Sequence, residues 1–152
     1  MAGSLVSQKP ETLMIVEDEA LIAIDLRDEF ELAGYKVLDL TDRQDEALQA
    51  ATAEKPLIAL VNISLAGGDD GIELARHLKA MGIPVLLISG QVSRACSAET
   101  VAIGSMPKPY RPSEMVVAVA HLLARLSGKG LLRKPAQLEV FDGAIFDAIP
   151  AA

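Results

Sequence analysis

Short apolar runs alternate with amphipathic segments along most of the chain. The runs predict strands at Leu13–Val16, Lys36–Leu40, Leu57–Val61, Val85–Ser89 and, more weakly, Ser105–Met106. Three of these runs are apolar throughout, as expected for strands that are covered on both faces of a sheet. Helical periodicity predicts helices over 22–33, Gln44–Ala53, Ile72–Met81, Ala95–Ala102 and Ser113–Leu126. Strand alternating with helix five times predicts an α/β fold with a doubly wound, five-stranded parallel sheet.

Composition narrows the class of protein. With 152 residues, 51% of them hydrophobic but only 3% aromatic, the chain predicts a single domain with an aliphatic core. A formal charge of −7 argues against nonspecific binding of nucleic acid, which requires clustered cations. The single cysteine, Cys96, excludes an internal disulfide, and the sequence contains neither a signal-like start nor a membrane-length apolar stretch. We therefore expect a soluble, cytoplasmic protein that binds neither nucleic acid nor membranes.

Polar residues stand at the ends of the predicted strands. Glu17-Asp18-Glu19 follows the first strand, Asn62 ends the third, Ser89 the fourth and Lys108 the fifth. In a doubly wound sheet these ends meet at one edge, where ligands bind. Adjacent carboxylates there suit Mg²⁺, and a hydroxyl and an ammonium suit phosphoryl oxygens. Taken singly, the acids are also explained as a helix N-terminus and Lys108 as a loop lysine.

The chain resembles the receiver domain of two-component response regulators over about 11–126. The resemblance rests on LMIVEDEALIAIDL, LIALVN, DGIELARHL, IPVLLISG and PKPY, in this order. It implies a flavodoxin-like, CheY-like (βα)5 fold with strand order 2-1-3-4-5. We accordingly divide the chain into an N-terminal extension (1–10), a receiver-like domain (11–127) and a C-terminal tail (128–152).

The resemblance also implies roles for individual residues. Glu17 and Asp18 would hold Mg²⁺ together with the side chain at position 62 and the backbone carbonyl of Ser64. Ser89 corresponds to the switch hydroxyl and Lys108 to the lysine that pairs with phosphate, with a cis Lys108–Pro109 bond. Position 62 is the phosphoacceptor, where the family has aspartate and this chain has Asn62.

The asparagine changes the expected function. A carboxamide has no anionic oxygen with which to attack phosphorus, so self-phosphorylation at this position is not expected and the chain is not expected to be an enzyme. With one negative charge fewer, Mg²⁺ should bind more weakly, if at all. Ser105 also replaces the family's aromatic switch residue. We therefore predict a pseudo-receiver that acts by protein–protein contact. The alternatives are a working receiver in which Asn62 was introduced by engineering, and a more distant small-ligand-binding module.

Two surfaces are candidates for partners. The helix at 113–126 is apolar nearly all round, which indicates a second covered face. Its residues Met115, Val119 and Leu122 are candidates for a homodimer or partner interface, with burial under a long loop as the alternative. On the first helix, Leu21 and Ile24 lie off the core stripe and are candidate docking residues for a histidine kinase, a phosphotransferase or another signalling protein. The apolar tail after Ser127 predicts docking on its own domain or on a dimer mate.

Overall fold

A computed structural model describes residues 10–90, 98–130 and 132–148, apart from the side chain of Phe146. Cys96 and the first three residues of the helix expected at 95–102 lie outside these ranges. Residues 98–101 form a turn in which the N–H groups of Val101 and Ala102 donate to the carbonyl of Ala98. Across the described residues, no helix combines the length and the apolar character needed to cross a bilayer.

The five predicted strands form a parallel sheet in the expected order. Strands β1 to β5 pair in the order β2-β1-β3-β4-β5, and all four pairings are parallel. The central strands are buried along their whole length because helices cover both faces of the sheet. Their bounds are Thr12–Val16 (β1), Lys36–Val37 (β2), Ile58–Asn62 (β3), Val85–Ser89 (β4) and Gly104–Pro107 (β5).

Helices follow β1, β2, β3 and β5 along the chain. They are Ala20–Leu32 (α1), Gln44–Ala53 (α2), Gly71–Ala80 (α3) and Pro112–Ser127 (α4). The side chain of Asp70 caps α3 by accepting a hydrogen bond from the N–H of Ile72 at 2.9 Å. Their apolar stripes pack on the sheet, where Phe30 of α1 and Leu74 of α3 are fully buried.

The second strand is shorter than predicted. Lys36–Leu40 was expected from the sequence, but only Lys36 and Val37 pair with β1 along a continuous ladder. The chain then leaves the ladder and rejoins it in a single bridge between Thr41 and Val16. The apolar pattern of this segment therefore reflects partial burial, since Leu38 is only 8% exposed although it lies outside the strand.

A sixth strand and a fifth helix, which the sequence did not predict, extend the fold. Strand β6 (Glu139–Val140) pairs antiparallel with β5, and helix α5 (Asp142–Ala148) follows it and contacts α4. Gly104 permits this pairing, because a Cβ at that position would lie 2.6 Å from the carbonyl oxygen of Glu139. The apolar residues of this segment join the core: Leu138, Phe141, Ala144 and Ile145 are at most 8% exposed. The segment docks on its own domain, one of the two arrangements expected for the tail.

Candidate functional site

The first strand ends in a buried carboxylate. The side chain of Glu17 is fully inaccessible, and its Oε2 accepts a hydrogen bond from the N–H of Glu19 at 3.2 Å. Asp18 and Glu19, one and two residues further on, are exposed. Carboxylate oxygens of all three residues lie within 4.8 Å of one another. The edge of the sheet therefore carries the acidic group expected from the sequence.

Burial raises the pKa of Glu17 to about 7. The neighbouring carboxyl group of Asp18 acts in the same direction, while the N–H of Glu19 and the ammonium of Lys108 oppose it. Lys108 Nζ lies 3.6 Å from Oε1 of Glu17 and 3.9 Å from Oε1 of Glu19. The lysine therefore lies against the acids, as expected for two strand ends that meet at one edge.

Asn62 ends β3 directly beside this acidic group. Its side chain is nearly buried, the whole residue being 5% exposed. The amide nitrogen Nδ2 donates to Oδ1 of Asp18 at 2.9 Å and to the backbone carbonyl of Ser64 at 2.7 Å. Both amide N–H groups thus have an acceptor. The alternative amide orientation would place Oδ1 against two other oxygens, so only the nitrogen suits this position.

The fourth and fifth strands complete the edge. Ser89 ends β4, is 4% exposed, and accepts a hydrogen bond from the N–H of Lys108 through its backbone carbonyl at 3.0 Å. The Lys108–Pro109 peptide bond is cis, as predicted. Ser105 lies further back in β5, is 9% exposed, and pairs with Leu87 of β4 and Glu139 of β6. The structure thus brings together five residues predicted from the sequence, while Ser105 is enclosed within the sheet. The five are Glu17, Asp18, Asn62, Ser64 and Lys108.

As arranged, these residues do not fit a divalent cation. Mg²⁺ requires several oxygen ligands directed at one point, with no N–H donor in the ion's place. Here two of the oxygens that the family resemblance assigns to the metal, on Asp18 and Ser64, accept hydrogen bonds from the amide of Asn62. Oε1 of Glu17 is a buried carboxylate oxygen with no hydrogen-bond partner among the described residues, and it faces the ammonium of Lys108. The acidic group is present, but the amide of Asn62 already bonds to two of the oxygens that a cation would need as ligands.

Tyr110 is a site residue that the sequence analysis missed. Its hydroxyl is buried and has no hydrogen-bond partner among the described residues. Burial raises its pKa far above the usual range, and the charges of Glu17, Glu19 and Asp25 raise it further. The hydroxyl therefore lies within electrostatic range of the acidic group. Its position directly after the Lys108-Pro109 pair, in a chain with only two tyrosines, was the available signal.

The nearby loop acids are committed to backbone groups. Asp69 Oδ2 accepts a hydrogen bond from the N–H of Gln44 at 2.9 Å, at the start of α2. Asp70 Oδ1 accepts from the N–H of Ile72 at the start of α3. Each carboxylate therefore holds the start of a helix.

The interface predicted on the helix at 113–126 is corrected by the structure. Met115, Val119 and Leu122 of α4 are 0% exposed and belong to the core. Residues 132–148, the C-terminal segment, pack on the outer side of α4: helix α5 contacts it, and His121 Nδ1 lies 2.7 Å from the carbonyl oxygen of Leu132. This partial cover accounts for apolar positions of α4 beyond the stripe that faces the sheet. The segment is tied to α4 by an ion pair between Arg125 and Asp142. The three residues therefore cannot form a free interface in this arrangement.

The candidate docking residues on α1 are exposed. Leu21 is 80% exposed and Ile24 36% exposed. Close to them, a cavity of about 500 Å³ is lined by Ile22, Leu26, Tyr110 and Pro112, among others. An exposed leucine beside such a cavity is suited to contact with another protein.

Comparisons with a family model and with known proteins agree on one family. The response regulator receiver domain matches residues 13–120. The chain is 30% identical over 114 residues to the phyllosphere-induced regulator PhyR of Methylorubrum extorquens, covering 73% of this chain and 43% of that protein. It is 30% identical over 145 residues to the phosphate regulon regulator PhoB of Pseudomonas aeruginosa, covering 91% of this chain and 61% of that protein. The chain thus spans less than two thirds of either relative.

Solved structures agree with this assignment. A putative response regulator from Chloroflexus aurantiacus aligns with a TM-score of 0.69 and 29% identity, covering 76% of this chain and 99% of that one. PhyR from Brucella abortus aligns with a TM-score of 0.61 and 34% identity, covering 76% of this chain and 48% of that one. The fold, the edge residues and the matched family agree. The chain belongs to the receiver domain family of two-component response regulators.

Proposed function

We propose that this chain is a phosphorylation-independent pseudo-receiver that acts by binding other signalling proteins. The observation that carries the proposal is the carboxamide of Asn62 at the end of β3, where a phosphoacceptor carboxylate would stand. An amide has no anionic oxygen to attack phosphorus, so the acyl phosphate on which receiver switching depends does not form. The chain is accordingly not an enzyme.

Three further features support the same proposal. In the receiver family, the switch hydroxyl and an aromatic side chain move together. Ser105 provides no ring to move with Ser89, so this coupled movement would not occur even with a phosphate present. The loop acids Asp69 and Asp70 cap helices, which leaves neither of them directed at phosphoryl chemistry. Mg²⁺ binding is weakened, because position 62 contributes no negative charge.

The proposed partners are a histidine kinase, a phosphotransferase or another signalling protein. We propose that the chain binds them in the cytoplasm. The proposed contact surface is α1, where Leu21 and Ile24 are exposed. Replacing Leu21 with Asp should abolish binding without loss of stability, because this side chain has little contact with the core.

A second candidate function is an ordinary phospho-accepting receiver in which Asn62 was introduced by engineering. It is favoured by the assembled remainder of the site, with Lys108 3.6 Å from Glu17 and the Lys108–Pro109 bond cis. Both functions assume the same family and fold. They differ in whether the native residue at position 62 is Asn or Asp, which is a difference of one side-chain atom.

One experiment separates the two functions. The chain and its Asn62→Asp variant are incubated with Mg²⁺ and acetyl phosphate, and intact mass is measured before and after hydroxylamine. A hydroxylamine-labile phosphoryl group on the unaltered chain would overturn the pseudo-receiver. A gain confined to Asn62→Asp would show that the surrounding site still works and would favour a recent or an engineered loss of the acceptor. No gain in either would show that the site is disabled beyond position 62, which also supports the pseudo-receiver.

A further inference from the structure

The Asn62 amide nitrogen contacts two of the oxygens that the family resemblance assigns to a divalent cation. Nδ2 contacts two oxygens, one from the Asp18 carboxylate and one from the Ser64 carbonyl, at 2.9 and 2.7 Å. These oxygens come from different strand ends, β1 and β3. A group that holds both must carry positive charge on its surface, as a metal ion or an N–H donor does.

We propose that the amide of Asn62 is a built-in substitute for the divalent cation, holding Asp18 and the loop at Ser64 in place without metal. This inference deepens the proposed function, on which it rests, by assigning Asn62 a positioning role. Each amide proton forms one of the two bonds, so the substitution needs no other group. The acidic edge is then assembled whether or not Mg²⁺ is available.

The proposal gives cation binding a structural cost. For a cation to reach Asp18 and Ser64, the amide must break both hydrogen bonds and turn its oxygen toward the ion. Two hydrogen bonds of ordinary strength correspond to about a 100-fold loss of affinity. This loss is separate from the weakening caused by the missing charge.

The missing charge and the amide in the cation's place predict different orders of Mg²⁺ affinity among variants at position 62. If only charge and ligand number matter, Mg²⁺ affinity should fall in the order Asp, Asn, Ala at position 62, because an amide oxygen is still a ligand. If the amide nitrogen occupies the cation's place, Asn62→Ala frees both oxygens and binds Mg²⁺ more tightly than the unaltered chain. The order then becomes Asp, Ala, Asn.

The experiment uses the full chain and Mg²⁺ as the probe. Affinities are measured from chemical-shift changes of the Glu19 backbone amide in the unaltered chain, Asn62→Asp and Asn62→Ala. Tighter binding by Asn62→Ala than by the unaltered chain supports the proposal, and equal or weaker binding overturns it. A second readout requires no variant. Asn62 is the single asparagine of the sequence, so labelling asparagine with ¹⁵N gives one side-chain NH₂ signal pair.

We expect this signal pair to exchange slowly with water and to keep its position in millimolar Mg²⁺. A saturable shift at low Mg²⁺ concentration, or rapid exchange in the metal-free chain, would overturn the proposal. The outcome is independent of the phosphodonor experiment. A chain whose amide yields readily to Mg²⁺ can still lack a nucleophile, and a phosphorylated chain would refute the proposed function whatever its NH₂ signals show.

Discussion

The amide nitrogen of Asn62 lies 2.9 Å from Oδ1 of Asp18, a residue 44 positions earlier in the chain. This hydrogen bond joins the ends of β1 and β3, and the second bond to Ser64 ties the following loop to the same point. We predict that Asn62→Ala lowers the free energy of unfolding by about 1–3 kcal/mol, because both bonds are lost. Urea unfolding in EDTA measures this. Unchanged stability would show that neither bond contributes.

The start of α3 must approach the end of β3 closely. A Cβ at Gly71 would lie 2.1 Å from the carbonyl oxygen of Asn62, and the N–H of Gly71 donates to Ile63. We predict that Gly71→Ala costs at least about 2 kcal/mol, because backbone must move on both sides. Gly143→Ala in α5 is the matched control, since open space surrounds that position. Equal thermal stability of the two variants would contradict this.

Strand β6 should be detachable by a single methyl group. In Gly104→Ala the new Cβ would meet the carbonyl oxygen of Glu139 at 2.6 Å, so we predict that β6 separates from β5. The N–H of Phe141 donates to Ile103 at 2.9 Å and should then exchange with water much faster. Hydrogen exchange measured residue by residue tests this, with the amides of β1 and β3 as internal controls. Retained protection at Phe141 would show that the pairing tolerates the methyl group.

The stability that the C-terminal segment adds to the fold should depend on pH through Glu114, which pairs with Arg133. Its hydrogen bond with Arg133 lowers the pKa of this carboxyl below its ordinary value of 4.5. Because the folded-state pKa is depressed, the stabilisation is present above about pH 4.5 and is lost as pH falls through the folded value. We predict that Glu114→Gln lowers the melting temperature slightly at pH 7, and that this difference disappears once the pH is below the folded-state pKa of Glu114. A difference that persists at low pH would exclude this ion pair as the cause.

Most of the receiver core could be predicted from sequence because its signals are local. Buried parallel strands appear as continuous apolar runs, and helices between them show a single apolar stripe. The site edge followed from the same reasoning, since carboxyl ends of parallel strands must meet. The sequence therefore predicts that Glu17, Asp18, Asn62 and Lys108 lie together.

The remaining features could not be predicted because they depend on contacts between distant segments. Strand β6 contains only Glu139 and Val140, too short for a period to be recognised, and it exists because Gly104 leaves room beside it. The apolar pattern of α4 is the same for a helix covered by its own chain as for one covered by a partner. Met115 was accordingly assigned to an interface when it belongs to the core.

The backbone of β3 also determines how long Asn62 remains an asparagine. Spontaneous conversion of asparagine to aspartate begins when the next residue's backbone nitrogen attacks the side-chain carbonyl carbon. That nitrogen belongs to Ile63, and its N–H is held in the sheet by the carbonyl of Ile88 at 3.1 Å. The ring that this attack would form cannot close without opening the β3–β4 ladder. Chemical ageing therefore does not supply a carboxylate while the sheet is folded, and the fold that displays the amide also preserves it.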